Sequence, residues 1–283
     1  YEMLRSLVGS EMCIRDSYVG GTSGLIYGYV NDGFYTVADF ESFDSKSRTW
    51  KLKEGVVDSS PLSDTPRPGN AKFKKLTPVD PNSTNPYQLT EADRTVIGNT
   101  TPKFSGGFGL NATYKGFDMS MFFNFMYDFD VLNANKIMLT TWADNKENNF
   151  LMDIASDKRW RNFDDMGNEI RYSPEVLAEF NKNATMWNPT SIGRPICMSY
   201  AVEDGSFLRL NSATLGYTLP SVWTKKVGLS KVRFYVSGNN LFTLTGYSGY
   251  DPEVNIATGL TPNIDYNRYP RSRTYTFGAQ LTF

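Results

Sequence analysis

Residue types that could carry out catalysis are scarce in this chain of 283 residues. It contains no histidine, which excludes nucleophile systems with a histidine base and histidine-containing zinc sites within this sequence. Cys197 lies in an Ile-Cys-Met context that is typical of packing. The adjacent Asp164 and Asp165 are typical of a solvated loop rather than of a glycosidase pair. We therefore predict no enzyme, no catalytic residue, no cofactor and no metal site.

Aromatic side chains in long connecting segments offer a different chemistry, because their faces can stack on sugar rings or grip peptides. Five residues of this kind are candidates for substrate binding: Trp142, Trp160, Trp187, Tyr247 and Tyr250. The alternative is that each ring packs the loops together. The glycine-rich stretch 20–24 lacks the Gly-Lys-Ser/Thr ending of a phosphate-binding loop, so it is interpreted as flexible backbone.

The segments between these loops alternate apolar and polar residues with a period of two. Such a pattern predicts strands with one apolar and one polar face. The pattern covers residues 104–114, 117–129, 207–219, 232–244 and 273–283, and 25–30 resemble the end of a further strand. Between the first two segments, Lys115-Gly116 predicts a tight hairpin turn. Leu208 and Leu210 are out of phase with the later apolar residues of their strand, which predicts a bulge near 209–211.

Alternation alone fits two settings, a soluble sheet that covers a core or a membrane-spanning barrel. No stretch approaches the roughly 18 apolar residues of a spanning helix. Short connections at 115–116 and 220–230 alternate with long ones at 31–103, 130–206 and 245–272. Short periplasmic turns and long extracellular loops are typical of outer-membrane barrels. The pattern favours an all-β, antiparallel transmembrane β-barrel segment, and the alternative is a soluble or surface-attached β-rich carbohydrate-binding module.

One helix is predicted within the long loops. Ser173-Pro174-Glu175 is a typical helix start, with serine as N-cap, proline in the first turn and glutamate favoured by the helix dipole. We expect this helix to end by Lys182 and to pack on the barrel mouth through Val176, Leu177 and Phe180.

The amino-terminal 17 residues have a different origin. Residues 7–17 back-translate without a mismatch to a transposon-based sequencing-library adapter, and residues 1–3 fit its flanking primer. We expect 1–17 to be non-native rather than a genuine extension, and the true N-terminus to be missing. Without the two basic and three acidic residues of this segment, 27 of each sign remain. A neutral chain gives no electrostatic reason to expect nucleic acid as a partner.

Eight segments together resemble a known family. Their order matches the C-terminal barrel region of SusC/RagA-type TonB-linked outer-membrane proteins, and the resemblance covers residues 18–283. The segments are DRTVIGN (93–99), TPKF (101–104), YKGFD (114–118), SFLRLN (206–211), TLGYTLP (214–220), VSGNNL (236–241), YSGYDPE (247–253) and YPRSRTYTFG (269–278). Segment 76–92 departs from the family because it has lost the acidic spacing that calcium requires.

The resemblance implies the last part of a barrel of about 22 strands with a plugged lumen, in the outer membrane of a Gram-negative bacterium. It also implies import of oligosaccharides or peptides, a SusD-like surface lipoprotein as partner, and energy from TonB. The plug and the TonB box would lie upstream. The final strand would end at Phe283 on the periplasmic side, as a signal for barrel assembly.

Overall fold

The computed structural model describes residues 24–283, except 64, 80, 82, 142–149, 156, 193–194, 255–262 and 267–268. The predicted all-β class is confirmed, because strands make up most of the regular secondary structure of the described residues. The strands are β1 Leu25–Gly28, β2 Asn31–Phe34, β3 Phe40–Asp44, β4 Thr49–Leu52, β5 Ala71–Phe73, β6 Thr95–Asn99, β7 Phe104–Tyr114, β8 Phe117–Tyr127, β9 Asp130–Asn133, β10 Val202–Asp204, β11 Phe207–Thr218, β12 Lys231–Thr245, β13 Ile264–Asp265 and β14 Thr274–Thr282. The short α-helices are α1 Ala134–Met138, α2 Pro174–Phe180 and α3 Ser221–Thr224. Among these described helices, none is long and apolar enough to cross a membrane.

The long strands form one antiparallel sheet in the order β14–β12–β11–β8–β7. We call it the main sheet. Strands β7 and β8 pair along their whole length, which confirms the predicted hairpin. Lys115 and Gly116 both have positive φ angles, 46° and 89°. A two-residue type I′ turn requires this conformation at both central positions, and glycine adopts it without steric cost.

The predicted bulge lies in β11. Its register against both neighbouring strands shifts between Leu210 and Ser212, so Asn211 is the extra residue. Before the shift Leu210 pairs with Phe123, and after it Ala213 pairs with Met121. Phe123 and Met121 lie two residues apart on one face of β8. The bulge therefore keeps the apolar residues on both sides of Asn211 on the same face of the sheet.

The main sheet has one apolar and one largely polar face. Cross-strand pairing places apolar side chains opposite one another on the first face, in the rows Phe108–Phe123 and Met119–Leu215–Val236–Phe277. The polar face has rows such as Asn124–Arg209–Thr243 and Ser120–Thr214–Ser237–Thr276. Phe122 is an exception, because its ring lies on the polar face over Gly107.

The connections of the main sheet separate by length. The turn between β7 and β8 and the α3-containing link between β11 and β12 are short, and both lie at what we call the turn end. The segments 128–206 and 246–273 join strands at the opposite, loop end, where β7 also begins. Because neighbouring strands are antiparallel, all the long segments lie at one end of the sheet.

The segments 24–103, 128–206 and 246–273 pack together as what we call the loop module. It contains the small sheets β1–β6, β2–β5, β3–β4 and β10–β9–β13. Strand β1, predicted as a strand end, pairs with β6 and not with the main sheet. Four clusters of buried apolar residues hold the described part of the module together, including the one where Phe129 and Phe207 join it to the main sheet.

Helix α2 confirms the predicted helix, with Ser173 at the N-cap position, although the serine side chain makes no capping hydrogen bond. The predicted packing on the barrel mouth is wrong. Leu177 and Phe180 pack within the loop module against Trp160 and Ile170, and Val176 is exposed. The sequence predicted an apolar face correctly, but the neighbour of that face is another loop.

Candidate functional site

Two of the predicted substrate-binding aromatics are core residues of the loop module. Trp160 is 3% exposed and packs against Phe34, with ring centroids 5.7 Å apart. A side chain at Gly69 would collide with the Trp160 ring, and glycine also suits the positive φ of that position. Trp187 is 1% exposed, and its indole N–H donates to the Thr140 carbonyl at 3.4 Å. Trp187 lines neither of the two cavities described below, whereas Trp160, although buried, contributes to the wall of the second one.

Tyr247 is also buried, in the cluster that joins the loop module to the main sheet. Its hydroxyl donates to the Asp265 carboxylate at 2.6 Å. Burial, followed by the carboxylate of Asp265, raises the pKa of Tyr247 above its ordinary value. By contrast, Tyr250 is 78% exposed, and Trp142 lies outside the described residues. Of the four described candidates, only Tyr250 presents its ring to solvent.

A buried ionic network fixes the segment 246–273 to the polar face. Arg209 on β11 is 1% exposed and donates to Asp251 at 2.5 Å, with Glu253 at 3.5 Å. Arg271 lies 3.0 Å from Glu253 and 3.7 Å from Asp251. Two guanidinium groups therefore neutralise two carboxylates. Sequence reasoning missed this network, although an arginine between Leu208 and Leu210 on a strand indicates a charge on the polar face.

Asp93 organises a second part of the loop module. Its fully buried carboxylate accepts hydrogen bonds from the backbone N–H groups of Leu76, Thr77 and Thr90, at 2.9, 2.7 and 2.8 Å. Lys75 lies 3.5 Å away. Burial alone would raise the pKa of Asp93, but the hydrogen bonds outweigh it and hold that pKa well below its usual range. Asp93 therefore remains charged and ties residues 75–77 to the turn at 90–93.

Two adjoining cavities open on the loop module. The first, of about 210 Å³, is lined by Arg48, Arg67 and Arg171 together with Trp50 and Tyr172. The second, of about 380 Å³, is lined by Arg159, Arg161 and Asp164 and shares Arg171 with the first. Asn162, Asn188 and Thr190 also line both cavities. Sequence reasoning missed this arginine-lined groove, because its residues come from three distant segments with no spacing signal.

Among the described residues, neither a metal cluster nor an acidic pair formed by Asp164 and Asp165 is found. In those residues, no group of three or more Cys, Asp or Glu side chains is placed to hold a metal ion. Asp164 and Asp165 do not act as a pair. Asp164 accepts hydrogen bonds from Asn168, which lower its pKa, whereas Asp165 pairs with Arg161 at 2.7 Å.

Comparison with known proteins connects this geometry to a family. No family model matches the chain. TonB-dependent receptor P3 of Formosa agariphila is 33% identical over 270 residues, which is 93% of this chain and 22% of the relative. TonB-dependent receptor SusC of Bacteroides thetaiotaomicron is 38% identical over 88 residues, 30% of this chain and 8% of the relative. The chain belongs to the SusC/RagA-type TonB-dependent receptors.

The fold of this receptor segment has a solved counterpart. The RagAB peptide transporter aligns with a TM-score of 0.55 at 22% identity, over 93% of this chain and 23% of that chain. At this identity the likeness concerns the fold. The chain thus spans about a fifth of the length of the receptors that it matches. These relatives are receptors and transporters, in agreement with the prediction of a protein that is not an enzyme.

The main sheet of the receptor is a segment of its transmembrane β-barrel. A strand of 11 residues such as β7, at about 3.3 Å per residue and roughly 45° tilt, spans about 25 Å, the height of the apolar band of such barrels. Aromatic residues lie at both ends of the apolar face, with Tyr114, Phe117 and Tyr217 at the turn end and Phe104 and Tyr127 at the loop end. They match the aromatic girdles at the two membrane interfaces.

Proposed function

We propose that the complete protein imports nutrients, either oligosaccharides or peptides, across the outer membrane of a Gram-negative bacterium with energy from TonB. The observation that carries this proposal is the main sheet, whose apolar face is exposed and whose polar face is covered at the loop end by a folded module. An apolar face this large suits lipid, and a polar face suits a water-filled or plugged lumen. The chain would form the C-terminal part of the barrel.

The orientation that we propose has the turn end and the carboxyl terminus in the periplasm and the loop module outside the cell. Short turns lie on the periplasmic side of bacterial barrels, which supports this assignment. An epitope inserted after Met166, an exposed loop-module residue, should be reached by antibody on intact cells. The same epitope inserted after Lys226, at the turn end, should be reached only after permeabilisation. The reverse result would contradict the orientation.

As partner we propose a SusD-like surface lipoprotein that covers the loop module. Its support is the similarity to SusC and to RagAB together with the position of the module at the mouth of the barrel wall. Purification of the tagged full-length receptor from its native host in mild detergent should recover this lipoprotein in a near-stoichiometric amount. Recovery of the receptor alone, under conditions that keep other lipoprotein complexes intact, would contradict the proposal.

Cell fractionation and uptake test import itself. The full-length protein should be found in the outer-membrane fraction, and deletion of its gene or of tonB should abolish growth on the same substrate. A soluble carbohydrate-binding module, the alternative function, would instead be recovered in the soluble fraction, and growth would not depend on TonB. Either of these two results would overturn the proposal.

Residues 1–17 are not part of this function in our proposal. They lie outside the described residues, and we propose that residues 18–283 alone derive from the receptor gene. Amplification of the genomic locus with a primer upstream of codon 18 provides the test. A receptor-like sequence in place of these residues is expected, and recovery of the same 17 codons from genomic DNA would contradict the assignment.

A further inference from the structure

We propose that the arginine-lined groove of the loop module binds an anionic oligosaccharide, one that carries carboxylate or sulfate groups on its rings. This inference deepens the proposed import function by naming a substrate class, and it rests on that function for its physiological role. The binding itself is a property of the groove and can be measured separately.

Most of the charged side chains that line the groove are positive. Arg48, Arg67 and Arg171 line the first cavity, and none of the described residues that line it is acidic. Arg159 and Arg161 extend the positive charge into the second cavity, where Asp164 is the acidic residue among the described lining. The Asp164 carboxylate is already occupied by hydrogen bonds from Met166 and Asn168. Asp165 pairs with Arg161, and Glu169 pairs with Arg171. The other three arginines have no described carboxylate within ion-pair distance, so the groove keeps a positive potential that attracts an anion.

Two of these arginines are available to a ligand. Arg48 and Arg67 are exposed, and no described carboxylate lies within ion-pair distance of either. Arg171 is paired with Glu169, but its guanidinium still lines both cavities. A guanidinium presents a planar set of donors that matches a carboxylate or sulfate in a bidentate way. Exposed arginines with no described carboxylate partner can therefore recognise such a group without first breaking an ion pair of the described residues.

The Tyr172 ring holds two of the arginines in place. The Arg48 guanidinium lies 4.7 Å from the centre of the Tyr172 ring, and that of Arg171 lies 5.7 Å from the same centre. Tyr172 itself stacks on Phe43, with centroids 6.2 Å apart and an interplanar angle of 22°. Cation–π contacts of this kind reduce the freedom of long side chains. The two guanidinium groups are thus preorganised around one ring, which lowers the cost of binding.

The remaining lining favours a sugar over a peptide. Trp50 and Tyr172 supply aromatic surface, and Asn70, Asn162, Asn188 and Thr190 supply amides and hydroxyls at the same walls. Amides and hydroxyls donate and accept, which suits sugar hydroxyl groups that do both. With about 210 Å³, the first cavity is smaller than a typical drug-sized ligand site. It fits one charged ring, while the adjoining cavity of about 380 Å³ continues the groove for a neighbouring ring.

Binding by the purified full-length receptor in detergent tests this proposal. The probes are tetragalacturonate, its neutral methyl ester, a sulfated tetrasaccharide and a tetraglutamate peptide, titrated by calorimetry. At least one of the two anionic saccharides should bind more than tenfold tighter than the neutral ester, and its affinity should fall as salt is raised because charges are screened. Equal affinity for the ester would overturn the anionic class. Tighter binding of tetraglutamate than of either saccharide would overturn the saccharide class.

Substitutions assign the binding to this groove. The double variant Arg48→Gln with Arg67→Gln should weaken binding of the anionic saccharide at least tenfold. A matched control, Lys53→Gln with Lys182→Gln, also removes two positive charges from exposed residues of the loop module but touches neither cavity. It should bind within twofold of the wild type. Equal losses in both variants, or no loss in the first, would overturn the site.

Uptake separates this inference from the proposed function. If import fails in cells while the purified receptor still binds the anionic saccharide through Arg48 and Arg67, the proposed function is wrong and the site stands. If TonB-dependent uptake of some substrate persists and the Arg48/Arg67 variant takes it up normally, the function stands and the site is not used for that substrate. If the Arg48/Arg67 variant no longer copurifies with the lipoprotein but binds the saccharide unchanged, the groove is a protein interface and the proposal is overturned.

Discussion

The main sheet and the loop module place their apolar residues in opposite ways. On the main sheet, large apolar side chains such as Leu215 and Phe277 are exposed, at 53% and 77%. In the loop module, apolar side chains of the same size, including Ile137 and Leu177, are buried in clusters. The two regions use the same residue types, but they are built for different solvents.

This difference shows what stabilises each region. The loop module buries apolar surface and hydrogen-bonded charged groups, as a water-soluble domain does. The inner strands of the main sheet have their backbone hydrogen bonds satisfied between strands, and the apolar face requires lipid. The loop module should therefore respond to mutations as a soluble protein does, whereas the sheet should respond according to which face is changed.

The largest effect is expected at Asp93, the buried carboxylate of the loop module. Asp93→Ala should lower the stability of that module by about 3–5 kcal/mol, because it leaves Lys75 buried and three backbone donors without an acceptor. Hydrogen exchange of the full-length receptor in detergent measures the loss. Asp32→Ala, which removes an exposed carboxylate 3.8 Å from Lys74, is the control and should cost less than about 1 kcal/mol. Similar effects of the two substitutions would mean that the hydrogen bonds of Asp93 do not stabilise the loop module more than an exposed ion pair does.

A somewhat smaller effect is expected on the lipid-facing side of the main sheet. Leu215→Arg should destabilise the folded barrel by about 2–4 kcal/mol, because a charge on this face must enter the apolar band. Its chain neighbour Thr214 points to the other face, and Thr214→Arg should have little effect. Denaturant unfolding of the receptor in lipid vesicles gives both values. A greater loss for Thr214→Arg would reverse the assignment of the two faces.

Acid should weaken the loop module through Asp93. The pKa of Asp93 in the folded protein is lowered. The contribution of this carboxylate to the free energy of unfolding is therefore complete above the unfolded pKa of about 4, and it is lost as the pH falls below that value. The loss is expected to be on the order of 2 kcal/mol. Proteolysis between pH 5 and 3 with an acid-stable protease measures it, and Asp93→Asn should show a flatter profile over this range. A parallel pH dependence in the variant would assign acid sensitivity to other groups.

The smallest effect concerns Tyr250, the one exposed aromatic candidate among the described residues. If the ring of Tyr250 stacks on substrate, Tyr250→Ala should reduce the apparent uptake affinity by a few fold, about 1 kcal/mol. Tyr269→Ala, at another exposed tyrosine in the same segment, is the control. Equal uptake by wild type, Tyr250→Ala and Tyr269→Ala would remove Tyr250 from the substrate path.

Sequence periodicity was sufficient for the main sheet. Every predicted long strand exists, and even the bulge near 209–211 follows from the phase of Leu208 and Leu210. Strands obey a local rule, because the face of each side chain is decided by its position in the chain. The short strand β1 shows the limit of that rule, since a pattern identifies a strand but not the partner with which it pairs.

The loop module could not be predicted in the same way. Tryptophan is a residue type that often stacks on ligands, which made Trp160 and Trp187 candidates. Their burial depends on contacts with Phe34, Gly69 and Thr140, which are far away in the chain. The arginine groove has the same origin, since Arg48, Arg67 and Arg171 meet only when three segments fold together. Non-local packing of this kind leaves no periodic signal in the sequence.

The single extra residue in β11 reverses the order in which apolar and polar side chains alternate along the strand. The phase of the apolar residues changes at Asn211, so an unbulged strand of the same sequence would invert every side chain between Phe207 and Leu210 relative to the remainder. Arg209 would then face the hydrocarbon, and its carboxylate partners Asp251 and Glu253 would stay behind on the other side. A deletion of Asn211 would therefore remove the bulge and keep both faces, whereas a one-codon deletion away from the bulge would exchange inside for outside in part of the strand.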